Sequence, residues 1–209
     1  MNRHRLRLLE GMTSAVARKG YPAVTIADVV AEAGVSKRTF YEHFDGKEDC
    51  LLACYVEGSS ALMAAIRQRL SVAAADPPAL IHAVLETYLG FLDRAPQMAA
   101  TLLIEVQRAG AEGRRVYRQN NLEFAELIQH SVAAGPLAAD GFDLDQSVAL
   151  VGGVNELVLS HAEDNPEIPF STLSSAVLRF VRAVIGGPGP GAAAIGEYPG
   201  TAPIGRPGR

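Results

Sequence analysis

Between Thr25 and Phe44 two helical signals stand end to end with only a short, Gly-containing turn between them, and this limits the segment to a helix-turn-helix. Ile26, Val29, Val30 and Ala33 fall at i, i+3, i+4 and i+7, the spacing of one buried helix face. Thr25 is placed to cap that helix, Gly34 to stop it, and Ser36 to cap the next one, which buries Phe40 and Phe44. Upstream, Leu9, Met12 and Val16 mark one face of a helix over about residues 3 to 19, which Gly20 and Pro22 end.

Helical periodicity continues along the chain and strand alternation is scarce. After Gly46, a long helix is expected from Lys47 to about Leu70, and Asp76 with Pro77 and Pro78 opens another that ends near Pro96. Further helices are expected at about 97 to 109, 112 to 134, 143 to 163 and 171 to 185, separated by Gly110, by Gly135 with Pro136, and by the loop around Pro166 and Pro169. Residues 187–209 hold seven Gly and five Pro, too few apolar side chains to offset ordering entropy, so a flexible tail is expected there. The expected fold is all-α, with a three-helix helix-turn-helix domain over 1–46, a larger helical domain over 47–186, and the tail over 187–209.

The 48% hydrophobic content is ample for a packed core and excludes disorder throughout. No apolar run approaches the roughly 18 residues of a membrane span, and the N-terminus lacks the apolar segment of a signal peptide. A cytoplasmic, membrane-free protein is therefore expected. The chain's net charge of −4 hides an asymmetry: residues 1–47 carry eight basic and five acidic side chains, a net of +3, leaving −7 for the rest. A basic front on an acidic body suits a module that meets phosphates, because that attraction depends on local charge.

In a helix-turn-helix the second helix enters the major groove of DNA. Lys37 and Arg38, near the start of that helix, can reach guanine N7 and O6, while Phe40 and Phe44 anchor its other side. Residues from about 5 to 55 resemble the DNA-binding domain of the TetR family of bacterial transcription regulators. The resemblance rests on KGYPAVTIADVVAEAG, the GVS turn, the aromatic-rich FYEHF and GKEDCL. It implies a phosphate contact at Thr25, a cap and DNA contact at Ser36, base reading by Lys37 and Arg38, and backbone or base contacts from Thr39, Tyr41 and His43. Lys47 would meet a phosphate, aided by the helix dipole.

The resemblance also implies a homodimer formed by the last two helices and a small-molecule effector held among the middle ones. Leu173, Val177, Val181 and Val184 or Ile185 form an apolar stripe suited to that dimer interface or to packing within the subunit, and Gly152 and Gly153 permit close helix approach. Candidate pocket residues are Phe91, Met98, Leu102, Glu105, Tyr117, Asn121, Phe124 and Asn155, apolar positions mixed with a few polar groups. The expected function is a ligand-responsive repressor binding a palindromic operator in double-stranded DNA, released by a small lipophilic effector. A regulator without a ligand, controlled by a protein partner or acting as an activator, is the alternative, and a cavity well under about 300 Å³ would favour it. A helical enzyme or carrier is a more distant one.

Other constellations carry less. Cys50 and Cys54 with His43 lack the spacing of a metal clip, and His82 with Glu86 is a bare i, i+4 pair. Gly189, Gly191 and Ala194 imitate a dinucleotide fingerprint without room for the flanking strand and helix. There is no GxSxG elbow, Walker loop or HExxH. No catalytic residue, metal or cofactor is expected.

Overall fold

The structure, a computed structural model, describes residues 3–72, 77–133, 142–165 and 167–186, and among these no strand occurs. Helices α1 (Arg3–Lys19), α2 (Ile26–Ala33) and α3 (Lys37–Tyr41) precede the long α4 (Lys47–Val72). Then come α5 (Pro77–Arg94), α6 (Pro96–Leu103), α7 (Gly110–Ala133), α8 (Leu144–Asp164) and α9 (Ser174–Ile185), with 3-10 turns at Tyr21–Ala23, Glu105–Arg108 and Phe170–Leu173.

The first three helices close over one core. Leu8, Met12 and Val16 of α1 meet Val29 and Ala33 of α2, Phe40 of α3, and Cys50, Leu51 and Cys54 of α4. Phe44 joins this core, although α3 ends at Tyr41, so it arrives through the turn and not on the helix. Local chemistry sets the boundaries. Thr25 and Asp28 form a reciprocal capping box at the start of α2. Gly34 ends that helix at φ 59°, in the left-handed region glycine tolerates best, and a Cβ there would also collide with the Arg7 guanidinium.

Helix α4 is the shared element. Its N-terminal part fills the first core, and Leu62, Met63 and Ile66 are buried further along it. One 18-residue stretch of α4 reaches mean hydropathy 1.3, so by length and composition it could cross a membrane, contrary to the sequence expectation. Half of that stretch is buried in the protein, because α1, α5, α6 and α7 pack around it. A helix enclosed on several sides carries apolar residues all round.

The remaining helices build a second, larger body. Leu85, Val132, Leu150, Val177, Val181 and Ile185 form one core across α5, α7, α8 and α9, while Leu89, Leu92, Ala99, Leu103 and Val158 form another. The stretch expected as one helix over 97–109 breaks at Ile104 into α6 and a 3-10 turn. Asp93 accepts the N–H groups of Phe170 and Ser171, fixing the turn that leads into α9. The expected tail, 187–209, lies outside the described residues, as do Gly135 and Pro136.

Candidate nucleic-acid interface and ligand cavity

Helix α3 is five residues long, and its N-cap Ser36 accepts the Thr39 N–H at 3.1 Å. Phe40 faces inward with no exposure, which forces Lys37, Arg38 and Tyr41 outward. The Arg38 side chain is 91% exposed and sits 3.3 Å from Glu42, one turn on, a surface pair that holds it weakly. Tyr41 is 57% exposed, an unusual place for an aromatic ring on a free surface. Thr39 and His43 are half-buried beside them, and Thr25 is exposed at the start of α2. Thr25, Ser36, Lys37, Arg38 and Tyr41 are thus all exposed.

Lys47 departs from the role expected of it. Its ammonium donates to the carbonyls of Tyr21, Pro22 and Val24 at 3.2, 3.3 and 2.8 Å, and it stands 4.7 Å from the Tyr21 ring centroid. An ammonium has three N–H donors and here meets three carbonyls, so Lys47 ties the turn before α2 to the start of α4. Several other basic side chains near α1 and α2 are also engaged: Arg5 with Glu57, Arg18 with Glu32, Lys19 with Asp28, and Arg7 with the Gly34 carbonyl. Lys19, then Thr25, hydrogen-bond the Asp28 carboxylate and hold its pKa far below the usual range.

The two cysteines belong to the core. The Cys50 and Cys54 thiols face the carbonyls of Leu8 and Leu9, and hydrogen bonding to Cys50, with burial, pushes the Cys54 pKa well up.

A cavity of about 170 Å³ lies in the second body, between α4, α5, α7, α8 and α9. Its wall is mostly aliphatic, and its polar lining comes from Tyr, Ser and Asn with no charged residue. Four expected pocket residues, Tyr117, Asn121, Phe124 and Asn155, line it. They are joined by Tyr88: its hydroxyl donates to Asn155 Oδ1 at 3.4 Å, while Asn155 Nδ2 donates to Tyr117 Oη at 3.4 Å and Asn121 Oδ1 at 3.3 Å. Burial pushes the Tyr55 and Tyr88 hydroxyls far up, so both remain neutral at any physiological pH. A more polar recess of about 200 Å³ shares Leu103, Tyr117 and Asn155 with it and adds Gln107, Gly152, Glu156 and Leu159.

The other expected pocket residues lie elsewhere. Phe91 of α5 and Met98 of α6 pack against Tyr55 and Val106 and do not line the cavity. The Leu102 side chain lies outside the described residues. Glu105 is buried in the 3-10 turn before α7, where it accepts the Tyr21 N–H at 2.7 Å and an Arg108 N–H at 2.8 Å. It therefore clasps the second body to the first. Tyr55, Ser59 and Tyr88 line the cavity but were missed, because their partners are far away in sequence.

A three-helix unit exposing a helix-turn-helix is the architecture of a DNA-binding domain. Residues 8–54 match the family model described as bacterial regulatory proteins, tetR family, a match confined to the helix-turn-helix segment and the helices that frame it. It is 40% identical over 53 residues to the HTH-type transcriptional regulator YerO of Bacillus subtilis, a match covering 25% of this chain and 18% of that relative's length. Among solved structures it is similar to the fatty acid degradation regulator FadR from Bacillus halodurans, with TM-score 0.80 and 17% identity over 90% of this chain and 97% of that one. It is also similar to FadR from Bacillus subtilis in complex with stearoyl-CoA, with TM-score 0.74 and 17% identity over 86% and 98% of the two chains. At these identities the two structures establish a shared fold.

Proposed function

We propose that this chain is a homodimeric, ligand-responsive transcriptional repressor of the bacterial cytoplasm. It binds a palindromic operator through two copies of the surface around α3 and is released when a lipophilic molecule fills the cavity. The observation that carries this reading is the outward display of Lys37, Arg38 and Tyr41 on a helix anchored from behind by Phe40. Lys37 and Arg38 read base edges, Ser36, Thr39, Tyr41, His43 and Thr25 position the backbone, and Lys47 organises the turn behind them. Binding is the whole activity, with no turnover of the effector.

Pairing is supported by the outer side of α8, where Val148 is 45% exposed and Gly152 has nothing within 4 Å of a built Cβ. Val177, Val181 and Ile185 are used within the subunit's own core, and the Phe180 ring fills the space beside Gly153. The dimer seam therefore falls on α8 and on whatever α9 still presents. Two-fold symmetry then sets the recognition helices roughly 34–36 Å apart in the DNA-competent form. A ligand preferring a differently spaced form weakens DNA binding by its differential affinity for that form.

The charge-free cavity supports an apolar effector, and the structurally similar Bacillus subtilis FadR holds stearoyl-CoA. Sedimentation and fluorescence anisotropy with duplexes from around the gene test the proposal. A dimer that binds one duplex selectively and releases it on adding lipophilic compounds is expected. A monomer without sequence preference would overturn it.

The cavity's size favours a second reading, a regulator without a ligand, since either chamber alone falls below the roughly 300 Å³ of ordinary ligand pockets. The two chambers, which share Leu103, Tyr117 and Asn155 in their walls, reach that range only if a ligand occupies both. If no lipophilic compound raises the melting temperature or alters DNA binding, the second reading stands.

A further inference from the structure

The cavity's polar groups have a polarity of their own. Asn155 is fully engaged: its Oδ1 accepts from Tyr88, and its Nδ2 donates to Tyr117 Oη and Asn121 Oδ1. Tyr117 therefore serves as an acceptor and keeps its O–H proton. Asn121 likewise uses its oxygen and keeps both N–H donors. Among the described residues, no hydrogen bond uses those donors, and no fully buried side-chain polar atom lacks a partner, so the unused Asn121 amide reaches open space. The polar patch thus offers two donors, the Tyr117 O–H and the Asn121 amide, to whatever occupies the cavity.

Its position gives those donors a task. Tyr117 and Asn155 lie on the walls of both chambers, the apolar one and the polar recess, so a ligand filling both passes them at the boundary. Among the described residues, no Lys, Arg or His lines either chamber. The titratable groups present are Tyr55, Tyr88 and Tyr117 on the first wall and Glu156 in the recess. An ionised carboxylate at the boundary would lose its water without gaining a counter-ion.

Building on the ligand-responsive reading above, we infer that Tyr117 and Asn121, held in register by Asn155 and Tyr88, form a carbonyl-reading site for an uncharged acyl compound. The apolar tail fills the apolar chamber, the carbonyl oxygen accepts from Tyr117 O–H and Asn121 Nδ2, and the substituent beyond the carbonyl lies in the recess. Esters, ketones and thioesters share that acceptor. A free fatty acid enters only in its protonated form.

Displacement of the neutral dye N-phenyl-1-naphthylamine from the full-length protein tests this, using tridecane, 2-tridecanone, methyl laurate, lauroyl-CoA and laurate at pH 8. The ketone and the ester are expected to bind roughly tenfold more tightly than the alkane, the value of about one net hydrogen bond. Laurate is expected to bind more weakly than the ketone at pH 8 and to close the gap by about tenfold per unit as the pH falls. Lauroyl-CoA, whose phosphates are charged, is expected to bind more weakly than the ketone, and equal binding would overturn the restriction to uncharged ligands. In Tyr117→Phe, which keeps the ring, the ketone's advantage over the alkane should shrink about tenfold, and Asn121→Leu should act in the same direction. Equal affinities for ketone and alkane, or laurate equal to ketone at pH 8, would overturn the carbonyl site while leaving a ligand cavity. Failure of every compound, dye included, to bind would instead overturn the ligand-responsive reading itself.

Discussion

Basic side chains near the recognition surface divide by what their heads already touch. Lys37 and Arg38 stand in solvent, so removing either should leave the fold intact and relax base preference at one operator position, at about 1–3 kcal/mol of binding free energy. Selection from randomised duplexes at fixed salt measures this. Lys47 should behave differently. Lys47→Met keeps the apolar stem but removes the donor to the Pro22 and Val24 carbonyls and one of two donors to Tyr21's, so urea denaturation should show a loss of about 1–3 kcal/mol. The salt dependence of DNA binding should then stay unchanged, whereas a lost phosphate contact would reduce its slope by about one. Sequence reveals that a lysine begins α4, but not which carbonyls fold back over it. The exposed residues of α3 were legible because the pattern around them is local, and Lys47 was not because its partners lie in another turn.

At the scale of elements, the start of α2 is held by charge. Asp28 has its pKa depressed by Lys19 and Thr25, so its contribution is present at neutral pH and is lost as the pH falls through and below the ordinary carboxylate range. Hydrogen exchange at the α2 amides should accelerate there, and Asp28→Asn should show the same exchange at neutral pH. The clasp between the two bodies makes a second prediction. Glu105→Ala leaves the Tyr21 N–H without an acceptor in a buried site, which should cost about 1–3 kcal/mol in thermal or urea unfolding. Because α4 and this clasp both join the bodies, the variant should also reduce the fold-change that a bound ligand produces in DNA affinity. Most helix positions were readable from periodicity and caps. The break at Ile104, the end of α3 at Tyr41 and the turn before α9 were not, since tertiary contacts such as Asp93 with Phe170 and Ser171 decide them.

Across the whole molecule, α4 connects the recognition unit to the cavity: Cys50, Leu51 and Cys54 sit in one core, while Tyr55, Ser59, Leu62 and Ile66 line the chamber. A ligand that moves this wall therefore acts on the helix beneath α3. Half of the expected pocket, Tyr117, Asn121, Phe124 and Asn155, was legible because polar residues on apolar helix faces stand out. Phe91, Met98 and Glu105 were misplaced because periodicity gives a residue's face but not which neighbour covers it. The most direct measurement is selection of duplexes from a random pool by the purified full-length chain, with and without 2-tridecanone. Enrichment of inverted half-sites about one helical turn apart, lost when the ketone is present, is the expected result. Enrichment of no sequence, or of single unpaired half-sites unaffected by any lipophilic compound, would contradict the claim that paired α3 helices answer to the cavity.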